Sequence, residues 1–408
     1  MYVVQKNHLR LSKADFSVLF RVAHRCKNLY NTTLYTIRMH FNQTGEYISW
    51  KELYHLLKAH PNYTDLSSDH AQLTIRKVRQ NFSSFFELLK KQKEGSYTEK
   101  VGVPRFLPKD GLFQIEFISR QIRREGRFLR LSLGRAKRTL GVGYIYVRVP
   151  RNIENRLITG VRIIPKFRSY FEIEFLYEPD IILPELDSSQ YLGIDLGLDN
   201  FATAVSTRGT AFILEGRGIK SFNRWWNKQK GKLQSTYDKM GLKSGRKMER
   251  LQIRRYNTVR NYLSHQVNAV VRHCIEHRIG TLVIGDWGDM KRGLRMRKHV
   301  SQSFQQIPFA LFRRKLQSKA ELHGIEVVMQ EESYTSQMCS NCGLIRKSNR
   351  VHRGLYRCSN CHMERNADVN GAINILRKVV PEEVFTGFRW NSGDIISPRR
   401  LKLVSFRL

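Results

Sequence analysis

A chain of 408 residues with 71 Lys and Arg against 35 Asp and Glu carries a formal charge of +36, spread along its whole length. Its 41% hydrophobic and 11% aromatic content is that of a folded protein of two or three domains, which excludes a disordered basic tail. A body this basic repels itself unless a polyanion neutralises it, so nucleic acid is the expected partner, bound with strong salt dependence.

The opening residues MYVVQKNHLR read as a strand and are not followed by the long apolar core of a secretory signal. The sequence has no run of 18 or more apolar residues, so no membrane span is expected and the cytoplasm is the expected location. Residues 11–95 read as helices. Ser12 and Asp15 make a cap-like start, and an apolar stripe runs Ile75, Val78, Phe82, Phe85, Leu89. Arg76, Lys77, Arg79 and Gln80 fall on the polar side of that stripe, where lining a duplex groove and merely facing solvent are both open. From about residue 101 to 180 the texture changes. FQIEFI, RFLRLSL, YIYVRV, LITGVRII and YFEIEFLY alternate as short strands between Gly-, Pro- and Arg-rich turns, which predicts a small antiparallel β-barrel. The opening strand would complete it, giving a barrel of residues 1–10 and 96–185 with the helical domain 11–95 inserted. The linker EPDIILPELDSS marks a boundary near residues 178–189.

From residue 190 the strands YLGIDLG, FATAVST and TAFILEG follow one another as a meander. The run RGIKSFNRWWNKQKGK interleaves cations with aromatics, among them Arg224, Trp225 and Trp226. Base stacking with backbone neutralisation is one reading, and burial of the aromatics on the helix's own inner face is the other. A long helix to about Ile279, a buried strand TLVIG, a helix around 303–323, the strand IEVVMQE and a last helix from near Asn366 complete the order. Three meander strands followed by helix, strand, helix, strand, helix is the element order of an RNase H-like fold. The chain as a whole is therefore expected to be a multidomain α+β protein. Its nuclease-like core would occupy residues 190–335 and 362–380, with a tail over 381–408 expected to be flexible. Cys26 and Cys274 continue apolar stripes at helical spacing and read as core.

Cys339-x2-Cys342 and Cys358-x2-Cys361, separated by 15 residues, have zinc-ribbon spacing. Four thiolates close a tetrahedron around one zinc and leave no open position, so the ribbon over 336–361 is expected to be structural. His352 and His362 lie in the same stretch as competing ligands, although four cysteines suffice. Asp195 interrupts an otherwise apolar strand, where a charge is unfavourable unless a cation compensates it. Asp368 sits in the first turn of a helix whose apolar face is Val369, Ile373, Leu376 and Val380. Nucleases of the RNase H-like class gather such acids to hold two magnesium ions, one activating water and the other stabilising the leaving oxygen.

GIDLGLDNFATAVS, YTSQMCSNCG and ERNADVNGAINIL, in that order, resemble the signature blocks of TnpB proteins, transposon-encoded relatives of the type V CRISPR effectors. The resemblance covers residues 190 to 380. It implies a guide RNA, a double-stranded DNA target whose short flanking motif is read by the N-terminal half, and magnesium-dependent cleavage at a RuvC-like site, in a prokaryotic cytoplasm. One position departs from the family. Where many members carry a Glu directly after the buried fourth strand, this sequence has Gly285, with Asp286 one residue later. In a strand, one residue turns the side chain to the opposite face, so Asp286 should point away from Asp195. Some members with glycine here draw the acid from the next strand, and Glu332 is the residue that fits, giving Asp195, Glu332 and Asp368 as the implied catalytic, magnesium-binding set. Gly285 also leaves room for a nuclease-inactive RNA-guided repressor. A DDE-type transposase would share the fold and the acids, but the zinc ribbon before the last helix argues against it.

Overall fold

The computed structural model describes residues 2–180, 183–286, 305–352, 354–386, 390, 395–404 and 406. The chain divides into two compact units, Met1–Asp180 and Ile181–Leu408.

In the first unit Ser12 caps helix α1 (Lys13–Thr44) by accepting the Asp15 amide at 3.0 Å, and Ser67 caps α4 (Ser68–Lys93) through the His70 amide. The shorter α2 (Trp50–Leu57) and α3 (Pro61–Thr64) lie between them. Val18, Leu19, Val22, Cys26 and Leu29 recur at helical spacing on α1 and join Ile75, Val78 and Phe82 of α4 in one core. Burial pushes the Cys26 thiol up to about 12, as for a residue that only packs.

Where a single barrel was expected, the strands form two antiparallel sheets among the described residues. β1 (Val3–His8), β7 (Tyr170–Tyr177), β6 (Ile158–Phe167) and β2 (Ile115–Ile118) make one, in that order. β3 (Ile122–Glu125), β4 (Phe128–Ser132) and β5 (Tyr144–Arg148) make the other, with the one-turn helix α5 (Lys137–Leu140) between the last two. Single 3-10 turns at Ser119–Gln121 and Arg151–Ile153 interrupt the ladder on either side of the second sheet. The two sheets share a core instead of closing on each other, with Phe117, Leu131, Val147 and Ile163 buried together.

The second unit is built on a mixed sheet of six strands among the described residues. β8 (Asp187–Leu196), β9 (Asn200–Ser206) and β10 (Ala211–Glu215) form an antiparallel meander. After α6 (Arg217–Lys239) and α7 (Arg246–Glu276), β11 (Ile279–Asp286) returns parallel to β8. α8 (Phe309–Glu321) then leads to β12 (Glu326–Glu331), parallel to β11. Residues 303–304 of the helix expected there lie outside the described residues. The ribbon strands β13 (Arg350–His352), β14 (Leu355–Arg357) and β15 (Glu364–Arg365) follow, and then helix α9 (Ala367–Arg377). Strand alternation divides the two faces. Leu192, Ile194, Leu282 and Ile284 pack under Phe222, Leu263, Val267 and Phe312 of α6, α7 and α8. Val205, Ala211 and Val283 pack under Val369, Ala372, Ile373 and Leu376 of α9.

The tail expected to be flexible is instead part of this unit where it is described. Helix α10 (Glu382–Thr386) precedes Trp390 and Ile395, and Phe385, Trp390 and Ile395 are buried in the α9-side core. β16 (Arg399–Leu401) then pairs parallel with β10 as the sixth strand. Burial of these three apolar side chains is what anchors it. Tail residues 387–389, 391–394, 405, 407 and 408 lie outside the described residues.

Candidate active site and metal centre

Asp195 sits one residue on from Ile194 in β8, so it faces α9 while Ile194 faces the opposite core. The helix is shaped for it. A methyl group on Gly371 would stand 2.6 Å from the Asp195 Oδ2, so only glycine lets the helix pass this close to the carboxylate. Burial, then the charges of Glu332 and Asp368, hold the Asp195 carboxyl well above the usual range, and Arg350 offsets part of this. Three acids around one desolvated point favour a cation there, because a cation removes both contributions at once.

In β11, Val283 faces α9, and Leu282 and Ile284 face the other core, so Gly285 falls on the Asp195 side and Asp286 on the far side. There Arg313 of α8 donates to the Asp286 carboxylate. Above Gly285 lies Glu332. A methyl group at 285 would stand 2.5 Å from the Glu332 Cδ and 2.8 Å from its Cγ, inside the carboxyl group itself. The Glu332 side chain, from the residue after β12, thus fills the volume that a side chain at 285 would take. Glu331 turns outward to Ser333 and Lys378.

Asp368 is placed by its helix start. Asn366 caps α9, accepting the Asp368 and Val369 amides at 3.0 and 3.3 Å. Asn200 Nδ2 donates to Asp368 Oδ2 at 2.7 Å, and Arg350 of β13 donates to Oδ1 at 3.0 Å. Asp195, Glu332 and Asp368 line one cavity of about 860 Å3, together with Arg217, Lys220 and Arg224 of α6, Arg350 of the ribbon and Arg400 of β16. The arrangement is an acidic centre rimmed by cations, suited to a phosphodiester held across bound divalent ions. Sequence reasoning missed Asn200, Arg350 and Arg400. Asn200 lies within the same motif as Asp195, but Arg350 and Arg400 carry no local signal, because the ribbon and the tail strand bring them in.

The four cysteines converge. Their sulfurs all lie within 4.8 Å of one another, with Cys339–Cys361 at 3.6 Å and Cys342–Cys358 at 3.5 Å. Tetrahedral zinc with Zn–S near 2.3 Å sets sulfurs about 3.8 Å apart, so the residues fit the metal. Neither His352 nor His362 belongs to the set, which is the group of three or more candidate ligands gathered this tightly among the described residues. Burial pushes the Cys339 thiol up to about 12, while the Leu344 backbone amide draws Cys342 down to about 6. Such a divided set of thiols becomes four thiolates only around a cation.

The nucleic-acid candidates separate. Trp226 donates its indole N–H to the Leu251 carbonyl at 3.2 Å and lies under the Arg255 guanidinium, while Trp225 packs against Phe222 and lies under Arg254. Both rings are half-buried and contact side chains or backbone of α7. Arg224, on the other side of α6, lines the acid cavity. In the first unit Arg76 and Arg79 lie over the Trp50 ring, Arg79 also donates to the Ile48 carbonyl, and Lys77 bonds Gln80. No helix among the described residues is long and apolar enough to cross a membrane.

Two family models match parts of the chain. The OrfB_IS605 model, described as "Probable transposase", matches residues 174–291, and the Cas12f1-like TNB domain matches residues 309–375. The CRISPR-associated endodeoxyribonuclease Cas12f1 of Sulfoacidibacillus thermotolerans is 28% identical over 234 residues, 54% of this chain and 53% of that protein. The match thus spans about half the length of that relative. The TnpB-like protein ORF457 of Acidianus two-tailed virus is 23% identical over 402 residues, 89% of this chain and 83% of its own. Among solved structures, a Cas12f1–sgRNA–target DNA complex superposes with a TM-score of 0.59 at 14% identity, covering 89% of this chain and 83% of that one. The mini-RNA-guided endonuclease CRISPR-Cas_phi3 gives 0.55 at 11% identity, covering 93% and 92%. The fold is therefore the mixed α+β architecture of the Cas12f-type structures, with a four-cysteine cluster set into it. Over the matched residues the chain is thus similar to the OrfB_IS605 and Cas12f1-like TNB models and to TnpB-like and Cas12f1 proteins.

Proposed function

We propose that this chain is a transposon-encoded, RNA-guided DNA endonuclease that hydrolyses phosphodiesters in the cavity of Asp195, Glu332 and Asp368, on an RNase H-like, RuvC-type core. The observation that carries the reading is the Glu332 carboxyl lying over Gly285, on the Asp195 side of the sheet. A sequence that had lost its nuclease would have no reason to keep an acid in that position, where its charge raises the Asp195 pKa. The three carboxylates would hold two magnesium ions, which supply charge stabilisation at the attacked phosphorus and the departing oxygen. Arg217, Lys220, Arg224 and Arg400 on the cavity rim attract the phosphate backbone and orient it over the acids. The zinc ribbon contributes no open coordination position; it holds Arg350 against Asp368. Sequence choice is left to base pairing by a guide RNA, with double-stranded DNA as target.

Purified protein is expected to carry a discrete structured RNA, and plasmid cutting is expected to follow that RNA's terminal sequence. Copurified RNA is sequenced, then the guide segment is exchanged and cleavage mapped. Cutting that ignores the exchanged guide, or that proceeds equally after RNA is stripped, defeats the reading.

A further inference from the structure

The three-stranded sheet of the first unit has one face that the proposed cleavage site leaves unused. Leu129, Leu131, Ile145 and Val147 are its inner, buried face. Period-two alternation sends Phe128 and Arg130 of β4, Tyr144, Tyr146 and Arg148 of β5, and Arg123 of β3 to the outside. Phe128, Tyr144 and Tyr146 are 47%, 45% and 50% exposed, a high share for large aromatic residues. Single exposed aromatics are ordinary, but three on one small sheet face are not.

Their arrangement is specific. The ladder sets Phe128 opposite Arg148 and Arg130 opposite Tyr146, so each of these two rungs pairs a ring with a guanidinium group across β4 and β5. Arg130 lies 4.4 Å over the Tyr144 ring. Tyr144 and Tyr146, two residues apart on one strand, are about 7 Å apart. Among these three strands Glu125 is the one carboxylate, and it is bonded to Arg130 at 3.2 Å. An apolar protein partner would leave the guanidinium groups uncompensated on contact. A nucleic-acid strand supplies both complements, flat bases for the rings and phosphates for the arginines, and a duplex hides its base faces from a flat sheet.

We infer that the outer face of the β3–β4–β5 sheet is a stacking platform for two or three unpaired bases of a single-stranded nucleic acid. It rests on the RNA-guided reading only in requiring a nucleic-acid ligand, and none of its residues lines the cleavage cavity.

The test uses the full chain, freed of copurified nucleic acid, with labelled oligouridine RNA, oligothymidine DNA and a duplex, each about 12 nucleotides long, within the usual single-strand site size. Tyr146→Ala is expected to weaken single-strand binding about tenfold, and Phe128→Ala with Tyr146→Ala further, with duplex affinity and melting temperature unchanged. Tyr146→Trp should retain binding and Tyr146→Leu should not, which separates stacking from apolar contact. Arg148→Gln should lower the salt slope by about 0.7. The ratio between the RNA and DNA arms identifies the strand the platform takes. Unchanged affinity of the double variant in both arms, or full rescue by leucine, overturns the platform alone. A wild type that binds no nucleic acid in any arm overturns the RNA-guided reading with it.

Discussion

Glu332→Ala is expected to lower magnesium-dependent, guide-directed cleavage by about a thousandfold or more while guided DNA binding persists, as are Asp195→Ala and Asp368→Ala. Asp195 and Asp368 alone supply two carboxylates, whereas a two-metal site needs further anionic ligands. Of the two other acids lining the cavity, Asp199 is paired with Lys220, and Glu332 is the one whose charge acts on Asp195. Asp286→Ala should retain most activity, because Asp286 faces α8 and is held by Arg313. The glycine supplies a second arm. Gly285→Ala places a methyl group where the Glu332 carboxyl lies and should lower cleavage by pushing that carboxyl aside, without removing an acid. Gly285→Glu combined with Glu332→Ala should recover part of it by returning the acid to the strand. Guided plasmid cleavage with these variants decides the matter. Full activity in Glu332→Ala with loss in Asp286→Ala would reverse the assignment. A wild type that binds its target but never cuts, with magnesium or manganese, would make the protein a repressor.

Removing zinc is expected to unfold the ribbon and to suppress cleavage with every acid intact. The ribbon's buried cluster is Cys339, Tyr356, Cys358 and Ala367, too small to hold its shape without the metal. Structural zinc contributes on the order of 10–16 kcal/mol of binding free energy in small metal-folded modules. With the ribbon goes β13, and with β13 the Arg350 contact that holds Asp368. Elemental analysis should find about one zinc per chain. In Cys358→Ser, backbone amides between residues 339 and 361 should exchange at unfolded rates while those of β8 and β11 stay protected. Unaltered protection, or a protein without zinc that cuts normally, would refute this.

Some of this was legible in the sequence because the signal was local. Two CxxC pairs bring four sulfurs together whatever surrounds them, and a lone Asp in an apolar strand is conspicuous anywhere. The contrast between Gly285 and Asp286 needed only the period of a strand. Placing Glu332 over Gly285 as a ligand rested on family resemblance, and the space above the glycine gives that reading a physical footing. Other features depend on partners remote in the chain. The contacts of Trp225 and Trp226 with Arg254, Arg255 and the Leu251 carbonyl come from α7, which their own helix does not encode. Arg350 and Arg400 reach the cavity from the ribbon and the tail. The exposed rings of β4 and β5 read in sequence as ordinary strand residues, because alternation fixes a face without saying what covers it.

The pairing of β16 with β10 bears on how the protein stays in solution. Ala211, Phe212, Ile213 and Leu214 form an almost wholly buried strand, and without a neighbour β10 would offer an apolar row of open amide and carbonyl groups to other molecules. The tail covers that row with a strand reading Arg-Arg-Leu, so the outermost rung of the sheet carries two exposed arginines. Positive charge at this border makes a second copy of the chain repel the first at the point where sheets most readily join. A chain cut back to residue 380 would keep its acids and its cysteines and lose this guard, and its expected fate is self-association through β10.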